Sequence, residues 1–217
     1  MPLARLEGWF ERFAAGHGGG GRLVAGGGGS ALLLAPDGAG ARLSCPGVDL
    51  AGGRPAGEVL TVEEVVARAV APRVAAVLLL RRGGAVVALV RTGAHGPEVL
   101  GSRVRTAHVQ SRTAAGGWSQ QRFARRREGQ AEGLVRDAVA AAGRVWARAD
   151  GAEPPDLLAA GGDSPLLERA LVLLPAALSG VTALPRQDLA VRADPRRRVL
   201  DALAPDVGAV RVEVRDA

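Results

Sequence analysis

The chain of 217 residues contains no lysine, isoleucine, asparagine or tyrosine, and only one cysteine. Without lysine, it cannot carry the lysine-dependent phosphate loop of the nucleotide-hydrolysing P-loop proteins. With Cys45 as its only thiol, it cannot form an internal disulfide framework or a multi-cysteine metal site. The three scattered histidines have no metal-ligand spacing. We therefore expect neither a bound metal nor a cofactor.

The chain also lacks a long apolar run. Runs such as residues 74–80 are far too short to cross a bilayer, and the first residues contain no apolar signal-peptide core. Apolar residues nevertheless make up 47% of the chain, which is enough to build a hydrophobic core. We therefore expect a folded cytoplasmic protein that makes no contact with a membrane.

Acidic residues are absent from one long stretch, although the chain as a whole has a net charge of +6. No Asp or Glu occurs between Glu98 and Glu128. The missing residue types indicate a GC-rich codon usage, which raises arginine content but does not remove acids. The stretch therefore predicts binding to a polyanion such as RNA. Its arginines are Arg103, Arg105, Arg112, Arg122, Arg125, Arg126 and Arg127.

Residues 1–72 predict an N-terminal α+β extension, whose role the sequence leaves open. The spacing of apolar residues predicts a helix over residues 3–14. Short apolar runs at 22–25 and 31–35 predict a hairpin, and a further strand is expected near 41–44. A helix is expected to begin after Thr61, because Glu64 follows at the spacing of a capping box.

Residues 73–217 predict an α/β fold, a mixed sheet with helices packed on it, because strand and helix patterns alternate. A long helix is expected from about residue 121 to 147, following a loop that ends near Gln120. Its apolar stripe comprises Phe123, Ala131, Leu134, Ala138, Ala142 and Val145. The predicted strands are 73–80, 85–91, 98–110, 157–160, 181–184 and 209–215. Further helices are expected from Ser164 and from an Asp194-Pro195 cap to residue 203.

The segment that joins the third of these strands to the long helix, residues 108–130, combines features that suit chemistry on RNA. Gly116 and Gly117 allow a close backbone approach, and their N–H groups could stabilise a developing oxyanion. Gln120 and Gln121 carry amides that can position a water molecule. From the residues alone, however, the glutamine pair is better explained as the polar first turn of a helix.

The run GGWSQQRFARRR, from Gly116 to Arg127, resembles the catalytic loop and following helix of the eukaryotic and archaeal class I peptide-release factors. Those proteins carry Gly-Gly-Gln, then Ser, two variable residues and Arg-Phe-Ala-Arg. The order of predicted elements over residues 73–204 is also similar. The resemblance implies that residues 73–217 form a catalytic domain like the middle domain of those factors, which is similar to ribonuclease H.

The chain departs from that pattern at one position. Trp118 occupies the place of the family's catalytic glutamine, and glutamine follows two and three residues later. This shift is similar to the release-factor-like domain of ribosome quality-control peptidyl-tRNA hydrolases, which have a bacterial branch. The resemblance implies that Gln120, or in second place Gln121, is catalytic together with Gly116 and Gly117. No stop-codon-reading domain is recognisable in residues 1–72.

The resemblance implies metal-independent hydrolysis of peptidyl-tRNA on stalled ribosomes or large subunits, without a stop codon. The implied partners are peptidyl-tRNA, ribosomal RNA and the peptidyl-transferase centre of the large subunit. Two alternatives remain open: an endonuclease that cuts tRNA near its 3′ end, and a non-catalytic protein that binds ribosomes or RNA. The residues expected to bind RNA are Arg112, Trp118, Arg122, Arg125 and Arg126.

Overall fold

The computed structural model describes residues 1–107, 118–147 and 153–216, with the side chains of residues 118–127 left out. The chain divides into two compact units, each treated separately below. Unit 1 comprises Met1–Arg73, Arg91–Glu98 and Pro205–Ala217, and unit 2 comprises Val74–Val90 and Val99–Ala204. The sequence-based division between residues 72 and 73 stays a prediction.

The described residues form nine β-strands and five α-helices. The strands are β1 (Arg22–Ala25), β2 (Ala31–Leu34), β3 (Gly40–Ser44), β4 (Arg73–Arg81), β5 (Gly84–Thr92), β6 (Glu98–Thr106), β7 (Leu157–Gly162), β8 (Arg186–Leu189) and β9 (Arg211–Arg215). The helices are α1 (Leu6–Gly16), α2 (Val62–Ala69), α3 (Trp118–Val145), α4 (Ser164–Val172) and α5 (Arg197–Leu203). The predicted α/β class with helices packed on sheets is confirmed.

Unit 1 is built on an antiparallel sheet in the order β1-β2-β3-β9. Alternate residues of its strands, such as Leu33 and Leu43, are buried against apolar side chains of α1 and α2. The predicted hairpin is confirmed as β1 and β2. The last predicted strand is confirmed as β9, and it pairs with β3, so residues near the carboxyl end of the chain complete this sheet.

The predicted capping box at the start of α2 is confirmed. The Thr61 hydroxyl accepts a hydrogen bond from the Glu64 N–H at 3.2 Å, and the Glu64 carboxylate accepts one from the Thr61 N–H at 2.9 Å. Two nitrogens of the Arg54 guanidinium donate to the same carboxylate at 2.6 and 2.7 Å. These bonds stabilise the charged form and lower the pKa of Glu64 to about 2.

Unit 2 is built on a mixed sheet in the order β6-β5-β4-β7-β8. β7 is parallel to both β4 and β8. The connections on either side of β5 are two and five residues long, which is too short for a parallel crossover, so β5 is antiparallel to β4 and β6. The carboxyl ends of β4, β6, β7 and β8 therefore lie at the same edge of the sheet.

The long helix α3 packs with α4 on one face of this sheet. Four residues of its predicted stripe, Leu134, Ala138, Ala142 and Val145, are buried there, and Ala131 is partly buried. Just after α3, Trp146 Nε1 donates a hydrogen bond to the Ala88 carbonyl in β5 at 2.9 Å. The carboxyl-terminal part of the helix is thus fixed to the centre of the sheet. Phe123, the other residue of the stripe, is among those whose side chains are not described.

Two predictions in the last third of the chain are wrong. Residues 181–184 form no strand; Ala176–Ala183 is a 3₁₀ helix, in which Thr182 donates its hydroxyl proton to the Ser179 carbonyl at 2.7 Å. The strand at this edge is β8 instead, which is mostly polar and so lacks a strong apolar pattern. The cap of α5 is Arg196 rather than Asp194.

Candidate functional site

One edge of the unit 2 sheet carries the segment that the sequence predicts to be functional. We call it the loop edge. It is defined by the β4–β5 turn at residues 81–84, the end of β6 at 105–107, and the β7–α4 junction at 162–163. Ligands in α/β folds commonly bind at the carboxyl ends of strands. Here the chain leaves the sheet at Ala107 and is next described at Trp118, the first residue of α3.

The end of β6 is fixed to the neighbouring turn. The Ala107 N–H donates a hydrogen bond to the Gly83 carbonyl at 3.1 Å. The same carbonyl accepts a second bond from Arg196 Nη1 at 2.9 Å. The last described residue before segment 108–117 is therefore held by the sheet itself, which provides the rigid support that a precisely positioned site requires.

A strap of seven residues, 190–196, crosses this edge between β8 and α5. Arg81 Nη1 donates a hydrogen bond to the Val191 carbonyl at 2.8 Å, and Arg196 reaches Gly83 as described above. A Cβ atom on Gly84 would lie 2.8 Å from the carbonyl oxygens of both Arg105 and Pro195. The turn therefore requires glycine at this position, because the strap and the end of β6 approach its backbone closely.

The helix α3 begins earlier than predicted. Its 28 residues start at Trp118, which corresponds to a length of about 42 Å at 1.5 Å per residue. The loop predicted to reach Gln120 is therefore wrong at its end, since Trp118, Ser119 and Gln120 have helical backbone. Adjacent helical residues point about 100° apart, so Gln120 and Gln121 are directed to different sides of the helix.

The predicted site residues fall into two groups. Arg112, Gly116 and Gly117 lie outside the described residues. The others lie in the first ten residues of α3, where the backbone is described but the side chains are not: Trp118, Gln120, Gln121, Arg122, Arg125 and Arg126. The helical backbone gives the three arginines the i, i+3, i+4 spacing on which their predicted common face depends. Their roles, and those of the glutamines, stay predictions.

Sequence reasoning missed four arginines that the fold brings to the loop edge. Arg81 and Arg82 belong to the β4–β5 turn, whereas Arg192 and Arg196 belong to the strap. The side chain of Arg82 is 66% exposed, and its Nε lies 3.8 Å from an Asp163 carboxylate oxygen. The run Arg81-Arg82-Gly83-Gly84 predicts only a turn. Its proximity to the strap could not be anticipated from residues more than one hundred positions away.

The described parts of the chain contain neither a cluster of metal ligands nor a membrane-spanning helix. Within residues 1–107, 118–147 and 153–216, no group of three or more His, Cys, Asp and Glu side chains could hold a metal ion. No helix in these same ranges is both long enough and apolar enough to span a bilayer. The expected absence of a metal and of a cofactor stays a prediction.

Comparison with known proteins gives one match. The sequence profile of the family described as Actinobacteria/Chloroflexi VLRF1 release factor matches residues 72–213. The match covers more than half of the chain and includes the loop edge, segment 108–117 and all of α3. No curated protein gives a significant match.

Proposed function

The chain belongs to the Actinobacteria/Chloroflexi VLRF1 release factor family, and we propose that it hydrolyses the ester bond of peptidyl-tRNA on stalled ribosomes or large subunits. Membership in this family implies a role in translation, interaction with the ribosome and release activity. The finer proposal is that the nascent peptide is released without a stop codon, in the cytoplasm, at the peptidyl-transferase centre.

The observation that carries this proposal is the support of the loop segment at both ends. On one side, Ala107 is hydrogen-bonded to the β4–β5 turn. On the other, α3 is fixed to the sheet through Leu134 and the residues that follow it. The Gly-Gly pair and the glutamines lie between these two supports. A short segment held in this way can enter a narrow RNA site without losing its geometry, because positioning accounts for much of the rate of such reactions.

In the proposed reaction, a water oxygen attacks the carbonyl carbon of the ester, and the tRNA 3′ oxygen leaves with a proton. The products are a peptide carboxylate and a tRNA with an intact 3′ hydroxyl. The amide of Gln120, or in second place that of Gln121, orients the water and stabilises the oxyanion, while Gly116 and Gly117 allow the close approach. Arg112, Trp118, Arg122, Arg125 and Arg126 hold the segment on RNA.

A non-catalytic RNA-binding protein is the second candidate, and one observation favours it. Trp118 occupies the position of the glutamine that class I release factors use, and the two nearby glutamines have helical backbone. A polar first turn of a helix would look the same. Binding to the ribosome would then persist without turnover of peptidyl-tRNA.

One assay separates the proposals. The protein is incubated with stalled large-subunit complexes that carry a labelled nascent chain on labelled tRNA, and both products are resolved. We expect free peptide and tRNA with an intact 3′ end. A tRNA shortened near its 3′ end would instead identify the endonuclease alternative. Binding to the complex without release of either label would identify the non-catalytic protein.

A further inference from the structure

We propose that the arginines of the loop edge form a docking surface for the phosphates of structured RNA, in addition to the arginines at the start of α3. We call them the edge arginines: Arg81, Arg82, Arg105, Arg192 and Arg196. The inference rests on the proposed function in that it takes RNA as the partner. It concerns binding alone, however, and does not depend on whether the ester is hydrolysed.

Three separate parts of the chain bring these side chains together. Arg81 and Arg82 end β4, Arg105 lies near the end of β6, and the other two belong to the strap. Two hydrogen bonds connect the parts: Arg81 to the Val191 carbonyl at 2.8 Å, and Arg196 to the Gly83 carbonyl at 2.9 Å. The positive charges are therefore gathered at one edge by the fold rather than by their order in sequence.

The carboxylates near this edge do not balance the arginines. Asp163 lies 3.8 Å from Arg82, and Asp194 packs against the β4–β5 turn. Asp188, near the end of β8, is bound by Arg186 at 3.1 Å. The edge also continues into residues 99–127, which contain no acid at all. A concentration of one sign of charge on a surface attracts a polyanion and speeds its encounter.

The edge arginines are arranged for presentation rather than for internal neutralisation. Arg81, Arg105 and Arg196 are half-buried, and each donates one hydrogen bond or more to backbone carbonyls. Their positions are thereby restricted before a ligand arrives, which lowers the entropy lost on binding. Arg82 and Arg192 are exposed beside them. The planar guanidinium matches the geometry of phosphate oxygens.

The chemistry of this surface favours phosphates over bases. None of the edge residues that define the surface is aromatic, so it offers no platform on which unpaired bases could stack. Contacts from arginine to the backbone position a protein on RNA without reading its sequence. The surface therefore suits a structured RNA backbone beside the segment that is to be delivered, and an acidic protein surface is the competing partner.

The test neutralises the two exposed edge arginines in the full chain, as Arg82→Gln with Arg192→Gln. The matched control is Arg144→Gln with Arg186→Gln, near the end of α3 and at the start of β8, away from the loop edge. Binding of each protein to deacylated tRNA and to large ribosomal subunits is measured between low and moderate salt. Circular dichroism and thermal unfolding confirm that the variants are folded.

We expect the edge variant to bind both RNA probes more weakly and to lower the slope of log affinity against log salt by about 2, one unit for each phosphate contact. The control should keep the wild-type slope. An unchanged slope in the edge variant would overturn the proposal. So would weaker binding to ribosomal subunits with unchanged binding to tRNA at every salt concentration, because that result identifies an acidic protein as the partner.

Release assays on the same proteins distinguish this inference from the proposed function. The edge variant should raise the protein concentration needed for half-maximal release, while the rate at saturation stays near that of the wild type. If no protein releases peptide but the edge variant still shows the lower salt slope, the docking surface stands and the proposed hydrolysis fails. If peptide is released but the slope does not change, the hydrolysis stands and the docking surface fails.

Discussion

The two units of the chain differ in charge balance, although they share one codon usage. Unit 1 contains ten arginines and eleven acidic residues, whereas unit 2 contains eighteen arginines and the same number of acids. A genomic preference for arginine codons would raise the arginine content of both units alike. The excess of positive charge in unit 2 therefore needs a different cause, and binding of a polyanion by that unit supplies one.

The units also differ in how their charged groups are used. In unit 1, arginines bind carboxylates, as in the pairs Arg54–Glu64, Arg91–Glu98 and Arg211–Glu213. Unit 2 has such pairs as well, for example Arg169–Glu132. At the loop edge, in contrast, Arg81 and Arg196 bind backbone carbonyls, which leaves their charge uncancelled. The comparison assigns RNA binding to unit 2 and predicts a structural use of charge in unit 1.

The largest expected effect is on chemistry in unit 2. Gln120→Ala should lower the rate of peptide release about 10²–10³-fold, which is the usual loss when one donor that stabilises an oxyanion is removed. Binding to large subunits should not change. Gln121→Ala, measured in parallel, identifies which of the two glutamines is catalytic. Gln130→Ala, at an exposed position of the same helix, is the control and should release peptide normally; wild-type release by both Gln120→Ala and Gln121→Ala would remove the amide mechanism.

The next effect concerns the support of the loop edge. Gly84→Ala places a Cβ atom 2.8 Å from the carbonyl oxygens of Arg105 and Pro195, and overpacking of this kind costs about 1–3 kcal/mol of unfolding free energy. Urea unfolding and hydrogen exchange in β4 and β5 measure the loss, and binding to RNA should weaken as the strap is displaced. Gly101→Ala in β6 is the matched control, because nothing lies within 4 Å of its added Cβ.

How much of the fold could be predicted from the sequence depended on the distance between interacting residues. The capping box of Thr61 and Glu64 involves positions three apart, so its pattern was sufficient. The same holds for the buried stripe of α3, where Leu134, Ala138 and Ala142 follow the period of one helix. Such features are local, and local spacing determines them.

Long-range features could not be obtained in this way. The sequence predicts the strand β9 but not its pairing with β3, because alternation identifies a strand without identifying its neighbour. The edge arginines are joined by hydrogen bonds over 110 and 113 positions. The wrong strand at residues 181–184 has a different origin: Leu178 and Val181 are buried along one side of a 3₁₀ helix, and so short an apolar pattern does not distinguish the two structures.

In unit 1, the predicted effect is a local loss of stability. Thr61→Ala removes the hydroxyl that caps α2 and should cost about 1 kcal/mol, seen as faster hydrogen exchange in that helix. Thr61→Ser keeps the hydroxyl and should restore most of the protection. Peptide release and RNA affinity should remain at wild-type levels in both variants. A marked fall in RNA affinity with Thr61→Ala alone would show that unit 1 contributes to binding.

The ion pair of unit 1 also predicts a dependence on pH. The folded pKa of Glu64 is lowered from 4.5 to about 2, mainly by its bond to Arg54. The stabilisation is therefore complete above about pH 4.5 and is lost as the pH falls towards 2, because the unfolded state takes up the proton first. Glu64→Gln should be less stable than the wild type at pH 7, and the difference should shrink through that range. A difference that is the same at pH 2 and pH 7 would assign the stabilisation to packing instead.

The smallest expected effect is the most direct test of the contrast between the units. Arg22 and Arg215 are exposed and belong to the unit 1 sheet, in β1 and β9. The double variant Arg22→Gln with Arg215→Gln removes as much charge as the edge variant does, so a general attraction to RNA would lose as much affinity in both. If binding is confined to unit 2, its salt slope should change by far less than one unit. A decrease of about 2 would show that both units bind phosphates, and the even charge balance of unit 1 would then conceal a second RNA surface on its sheet.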